Sequence, residues 1–188
     1  YLDGISLKRT WGGEVRQVAV LVAIGVGEDG YRDILGVAEG CKEDQAGWGG
    51  FLAYLKRRGL ACPELFISDK CLGLIESLGE YYPEAQWQRC MVHFYRNVFS
   101  VVPKGKVKQV AAMLKAIHAQ EDRQAAQEKA AAVAAKLETM KLPAAAELVR
   151  EGIGETLTYY AFPDKHHRQI RTNNPLERIM REIRRRSR

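Results

Sequence analysis

The run Gln17-Val18-Ala19-Val20-Leu21-Val22-Ala23-Ile24-Gly25-Val26 decides the fold class. It is almost wholly apolar and rich in β-branched residues, with no alternation that would turn one face to water. Such a segment reads as a central strand covered on both faces. Tyr1 to Lys8 before it and Tyr31 to Ala38 after it are expected to be its antiparallel neighbours. Trp11-Gly12-Gly13 and Glu28-Asp29-Gly30, which separate the three, are good turn material.

Beyond this meander the period changes. Phe51, Leu52, Leu55 and Leu60 predict a helix packed on the sheet and ended near Gly59. Leu65-Phe66-Ile67 reads as a short buried strand, entered through Pro63 and left at Ser68-Asp69. Leu72 to Leu78 reads as a second helix, Gln86 to Val92 as another strand, and Phe94 to Val101 as helical again. The whole is an α/β mixed sheet flanked by helices. From Pro103 to about Tyr160 the chain turns alanine-rich, with Val110, Leu114, Val133, Leu137 and Leu148 interspersed. Alanine has the best helix propensity, so two or three amphipathic helices are expected there. The expected organisation is an α/β core over 1–102, an all-helical insertion over 103–162, and the end of that core over 163–188.

The last element is well marked. Asn174 can cap a helix, and Pro175 suits the first helical position, where a missing N–H costs nothing. Leu176, Ile179, Met180 and Ile183 then fall on one face, and Glu177, Arg181, Arg184 and Arg188 on another. One carboxylate thus heads a basic stripe.

With 46% apolar and 28% charged residues, the composition is that of an ordinary globular protein. No apolar run approaches the roughly 20 residues of a membrane helix, and no signal-peptide pattern opens the chain. The first residue is Tyr1, not Met, so a piece of a longer protein is expected. The four cysteines, Cys41, Cys62, Cys71 and Cys90, form no C-x-x-C pair, and a reduced, cytoplasmic setting fits them best. A net charge of +6 favours a polyanionic partner. Its distribution says more, since Arg178, Arg181, Arg184, Arg185, Arg186 and Arg188 crowd the last eleven residues. Clustered arginine is the footprint of phosphate contacts, although a solvated helix end would look the same.

Three acids stand out. Asp3 shares strand parity with Tyr1, Ile5 and Leu7, where an acid is costly unless paired or metal-bound; Asp3-Gly4 could also be a plain turn. Asp69 ends a buried strand, where open α/β sheets place their ligands; it could also cap the next helix. Glu177 stands three residues after Asn174, the reach-back position of a capping box. Together they offer the hard oxygen ligands that Mg²⁺ and Mn²⁺ prefer. Two such ions about 3.5–4 Å apart can activate a nucleophile and stabilise the leaving oxygen of a phosphodiester.

The chain resembles the bacterial Mutator-type insertion-sequence transposases, whose catalytic core is a ribonuclease H-like domain with a DDE triad. The matching stretches are Tyr1-Leu2-Asp3-Gly4, Val22-Ala23-Ile24-Gly25-Val26 with Glu28-Asp29-Gly30-Tyr31, Ile67-Ser68-Asp69, Trp87-Gln88-Arg89-Cys90-Met91-Val92-His93-Phe94, Arg96-Asn97 and Asn173-Asn174-Pro175-Leu176-Glu177-Arg178. They run in order from one end to the other. By this resemblance the triad falls on Asp3, Asp69 and Glu177, at intervals of 66 (69 − 3) and 108 (177 − 69) residues. The family carries its all-helical insertion in the second interval. It also has a C-x-x-H signature there, matched by Cys90 and His93. One Cys and one His do not fill a tetrahedral zinc site. They suit a structural turn, or His93 contacts a phosphate.

The resemblance implies a DNA transposase using two Mg²⁺ (or Mn²⁺) ions. It would cleave and join strands at insertion-sequence ends, as a homodimer or larger assembly on DNA in the bacterial cytoplasm at the nucleoid. Arg178, Arg181, Arg184, Arg185, Arg188 and His93 are the expected DNA contacts. The family's full-length proteins carry a DNA-binding region before the part matched here and more chain after it. A plain nuclease of the same fold and a transposase-derived DNA-binding protein without catalysis are the rival readings.

Overall fold

The structure, a computed structural model, describes residues 1–40 and 44–186. Its contacts fall into two compact units, Tyr1–Trp87 with the segment from Asn173 onward, and Gln88–Thr172.

The first unit is built on an antiparallel meander, β1 (Leu2–Trp11), β2 (Glu14–Val26) and β3 (Arg32–Gly40), with β2 in the middle. Trp11 pairs with Glu14, so the β1–β2 turn is the two residues Gly12-Gly13, with φ of +58° and +85°. A two-residue hairpin of type I′ needs that left-handed conformation at both positions, which glycine adopts readily. The strands outrun their apolar stretches. Val15 is exposed at the hairpin tip, because ladder hydrogen bonds continue to the turn whether or not anything covers the side chains. In the β2–β3 turn, Gly30 (φ +81°) donates to Gly27 O, and the Asp29 carboxylate accepts from Tyr31 N.

β2 is covered on both faces by alternate residues. Leu21 and Ala23, with Leu2, pack beneath α1 (Gln45–Arg57) and α2 (Leu72–Tyr81), against Trp48, Phe51, Leu52, Leu55, Leu74 and Leu78. Val20, Val22 and Ile24, with Ile5, pack beneath α8 (Asn174–Arg186), against Leu176 and Met180. Helix α1 ends at Gly59 (φ +103°), where Gly59 N donates to Lys56 O and Leu60 N to Leu55 O. That is the Schellman pattern. The expected single mixed sheet is divided among the described residues. β4 (Leu65–Ser68) pairs with β5 (Gln86–Arg89) in a second sheet and runs beside β1 without joining its ladder.

The second unit is helical: α3 (Met91–Ser100), α4 (Val107–Ile117), α5 (Arg123–Thr139), α6 (Pro143–Gly152) and α7 (Asp164–Ile170). α5 buries Ala126, Ala130, Val133, Ala134 and Leu137, a helical stripe made mostly of alanine. Small residues there let α4 and α6 lie close on either side. Asp122 caps α5 by accepting from Ala125 N, and Pro143 opens α6. No helix of the described residues is long and apolar enough to cross a membrane.

Candidate active site

The three acids picked from the sequence all belong to the sheet-bearing unit. Asp3 lies on β1 opposite Val22, between Tyr1 and Ile5 on the face that α8 covers. It is half-buried, and its Oδ1 accepts from Gly4 N at 2.9 Å. Asp3-Gly4 is therefore strand and not turn.

Asp69 follows the last residue of β4 and is also half-buried. The cap position of α2 is Cys71, so Asp69 is not the helix cap. Its Oδ1 accepts from Lys70 N at 2.7 Å, and the Ser68 hydroxyl donates to its carbonyl at 2.8 Å. Ser68 Oγ in turn accepts from Trp87 Nε1 at 2.9 Å. Trp87 packs against the α1–α2 core, so it is a structural residue that pins the end of β4.

Glu177 sits in the first turn of α8, half-buried beside the fully buried Leu176. The helix begins one residue earlier than the sequence suggested. Asn173 O accepts from both Leu176 N (3.1 Å) and Glu177 N (3.0 Å), which makes Asn173 the cap and moves Glu177 one place past the reach-back position. The Asn173 side chain is buried, and its Nδ2 donates to Leu2 O at 3.1 Å. The head of α8 is thus bonded to β1 one residue from Asp3. β1 adjoins both β4 and α8, so the elements bearing the three acids are neighbours, with the Asp3 strand between the other two.

Arg178, Arg181, Arg184 and Arg185 are exposed along α8, and Arg185 pairs with Glu182 at 2.8 Å. Arg188 lies outside the described residues. Cys90 and His93 belong to the helical unit. Cys90 is the buried cap residue of α3, its carbonyl accepting from Phe94 N, and His93 is half-buried in the first turn. His167, also near the Glu-bearing helix in sequence, is occupied within the helical unit. Its Nε2 bonds Phe162 O at 2.7 Å, and its ring meets the edges of Tyr159 and Tyr160.

The helical unit also holds a buried polar network that composition did not reveal. His118 Nδ1 lies 2.8 Å from the Tyr95 hydroxyl, and Nε2 lies 2.9 Å from Thr156 Oγ1. The Thr156 hydroxyl also donates to Ile153 O at 2.7 Å, and the Tyr95 hydroxyl to Leu114 O at 2.9 Å. Gln88 Nε2 donates to Thr156 O and Gln88 Oε1 accepts from Tyr159 N, both at 2.8 Å. Desolvation lowers the His118 pKa to about 4, and nearby Arg171 pushes the same way against a hydrogen bond to Leu114 O. Burial holds the Tyr95 phenol well above its usual range. These groups fix helices to one another; with a ring so reluctant to take a proton, His118 is poorly suited to acid–base work at neutral pH.

Comparison with known proteins bears on the whole chain. The family described as "Transposase, Mutator family" matches residues 1–188. The transposase for insertion sequence element ISRM5 of Rhizobium meliloti is 39% identical over 186 residues, covering 99% of this chain and 46% of that protein. The transposase for IS1081 of Mycobacterium tuberculosis is 40% identical over 185 residues, 98% of this chain and 44% of that one. The transposase for IS256 in transposon Tn4001 of Staphylococcus aureus is 34% identical over 166 residues, 88% and 42% respectively. The chain spans less than half the length of these relatives.

Proposed function

The chain belongs to the Mutator family of transposases, and we propose that it forms the catalytic part of a DDE transposase acting on DNA at insertion-sequence ends. The observation that carries the proposal is the disposition of Asp3, Asp69 and Glu177 on adjoining elements of one unit. We read the unit as a ribonuclease H-like core interrupted by the helical unit.

The donor set fits a pair of Mg²⁺ or Mn²⁺ ions, since all three groups are carboxylates, half-buried, and two are oriented through one oxygen by a neighbouring backbone N–H. When bound, such ions would acidify an attacking water or hydroxyl and neutralise the charge that develops on the leaving oxygen. The reaction proposed is hydrolysis of a phosphodiester at the element's end, freeing a 3′-hydroxyl. That hydroxyl then attacks a second phosphodiester, its oxygen bonding to the target phosphorus while the target strand's 3′-oxygen departs from the broken bond. The chain's residues hold the geometry. Leu176 and Met180 seat α8 on the sheet, Asn173 ties its head to β1, and Trp87 steadies the β4 end from which Asp69 projects. The α8 arginines hold the DNA backbone, so binding weakens steeply with salt. Action on paired ends calls for a homodimer or larger assembly.

The test is nicking and strand joining on labelled element-end DNA in Mg²⁺ or Mn²⁺, comparing the protein with its Glu177→Gln variant. Metal-dependent products that vanish in the variant, with DNA binding kept, are expected. Equal activity of the two would remove Glu177 from the site. Nicking without any joining would point to a nuclease, and binding without cutting to a DNA-binding relative.

A further inference from the structure

A groove of about 810 Å³ opens between the start of β3 and the outer side of α8. Its lining holds four arginines, Arg32 from the strand and Arg178, Arg181 and Arg186 from the helix, against the one acid Glu182. Ile179 and Ile183 form an apolar wall that is also part of the α8–sheet core, so the groove is backed by packed structure. Among the described residues no ion pair is made by Arg32, Arg178 or Arg181. Glu182 holds Arg185 at 2.8 Å and Arg186 at 3.7 Å, both at the surface, where such pairs contribute little and are readily exchanged.

We propose that this groove is a track for one phosphodiester strand of duplex DNA, with Arg32 as the contact contributed from outside the basic helix and Glu182 as an internal competitor that phosphate displaces. The proposal rests on the DNA-acting reading above and adds a site to it. Spacing favours a polymer of phosphates over a lone acidic group. The Cα positions of Arg178 and Arg186 are about 12 Å apart along the helix, at 1.5 Å per residue. A strand of B-DNA carries roughly three phosphates in that length, at 3.4 Å of axis each. Guanidinium groups bind phosphate oxygens in bidentate fashion, which a flexible ammonium does not. The sequence pointed to the helix alone, because Arg32 stands far from it in the chain between Tyr31 and Asp33 and belongs to no charge cluster.

The experiment is fluorescence anisotropy of a short labelled duplex with the whole chain across a salt series, for the wild type, Arg32→Ala, Arg181→Ala and Glu182→Gln. Each arginine variant is expected to flatten the slope of log K against log salt by about 0.9, the contribution of one phosphate contact. Glu182→Gln is expected to tighten binding and steepen the slope, a change in the opposite direction that damage to the fold would not produce. Arg32 is exposed, so its variant should melt with the wild type. An unchanged slope in Arg32→Ala, with a loss in Arg181→Ala, would overturn the groove while leaving the DNA-acting reading in place. Poly-glutamate competing as well as DNA of equal charge would overturn phosphate as the ligand. A wild type that binds no duplex at low salt would overturn both readings together.

Discussion

Acidification should loosen the helical unit through one residue, His118. The ring is 6% exposed and is held between the Tyr95 and Thr156 hydroxyls. Its pKa falls to about 4 in the folded protein, chiefly because burial penalises the charged form. In the unfolded chain it returns to about 6.5. The folded state therefore binds fewer protons than the unfolded state between those two values, and stability drops as pH falls through the window. Above pH 7 both states are neutral and the group is silent. At pH 5 the unfolded ring is almost fully protonated and the folded ring hardly at all, which costs roughly 2 kcal/mol. At pH 4 the cost is roughly 3 kcal/mol. The assay is urea unfolding at several pH values, read as the difference between the wild type and His118→Gln. Other groups titrate alike in both proteins and cancel. The variant is less stable at pH 7, having lost a buried hydrogen bond, and the gap should shrink by roughly 2 kcal/mol on going to pH 5. A gap that stays constant from pH 7 to pH 4 would refute the reasoning, and one that widens would mean that the site prefers the charged ring.

Leu176→Ala should cost about 2–5 kcal/mol in urea unfolding, because Leu176 is fully buried against Ile5, Val22 and Ile24; a cost below about 1 kcal/mol would mean α8 is not seated as described. Gly73→Ala should cost about 1–3 kcal/mol, since a Cβ there would lie 2.7 Å from the Asp44 carbonyl carbon at the head of α1. A neutral result in thermal melting would show that α1 and α2 can part without penalty. Lys141→Gly should raise stability by up to about 1 kcal/mol: Lys141 has φ of +59° after α5, a conformation that costs a non-glycine residue roughly that much. A lower melting temperature would count against it. Asn173→Ala should reduce any metal-dependent cleavage on the order of tenfold or more while leaving duplex binding unchanged, because it frees the head of α8 from Leu2 O. Equal cleavage by the variant would show that this bond does not position Glu177.

The meander and most helices were legible because their signals are local. The apolar run from Val18 to Ile24, the Gly12-Gly13 pair and the alanine-rich stretch each reflect a short-range preference. What stayed hidden depends on distant packing. Helices α3 and α7 lie outside the alanine-rich range, and they pack with α4–α6 because Phe94, Val98 and Ile170 join that hydrophobic cluster. His118 and Thr156 carry no mark of their buried partnership, being separated by 38 residues in sequence. In the candidate site, the acids could be picked out by type and context. The true cap of α8 could not, because Asn173 and Asn174 are equally good caps and only the bond from Asn173 to Leu2 distinguishes them.

The register of the meander ties the turn to the candidate site. Side chains alternate across a strand, so slipping β1 by one residue against β2 would move Asp3 to the face beneath α1 and α2. That face is closed by Trp48, Phe51, Leu52 and Leu55, and an unpaired carboxylate there would be strongly destabilising. The slip is opposed at both ends of the strand. At the turn, Gly12 and Gly13 fix a two-residue hairpin by pairing Trp11 with Glu14. At the other end, Asn173 bonds Leu2 O, which holds the start of β1 against the head of α8. Between them Ile5 and Leu2 each commit one face to its own core. The position of Asp3 on the Glu177-bearing side is therefore set by four features, none of which is itself an acid. Substitutions at Gly12 or Asn173 should alter the site from outside it.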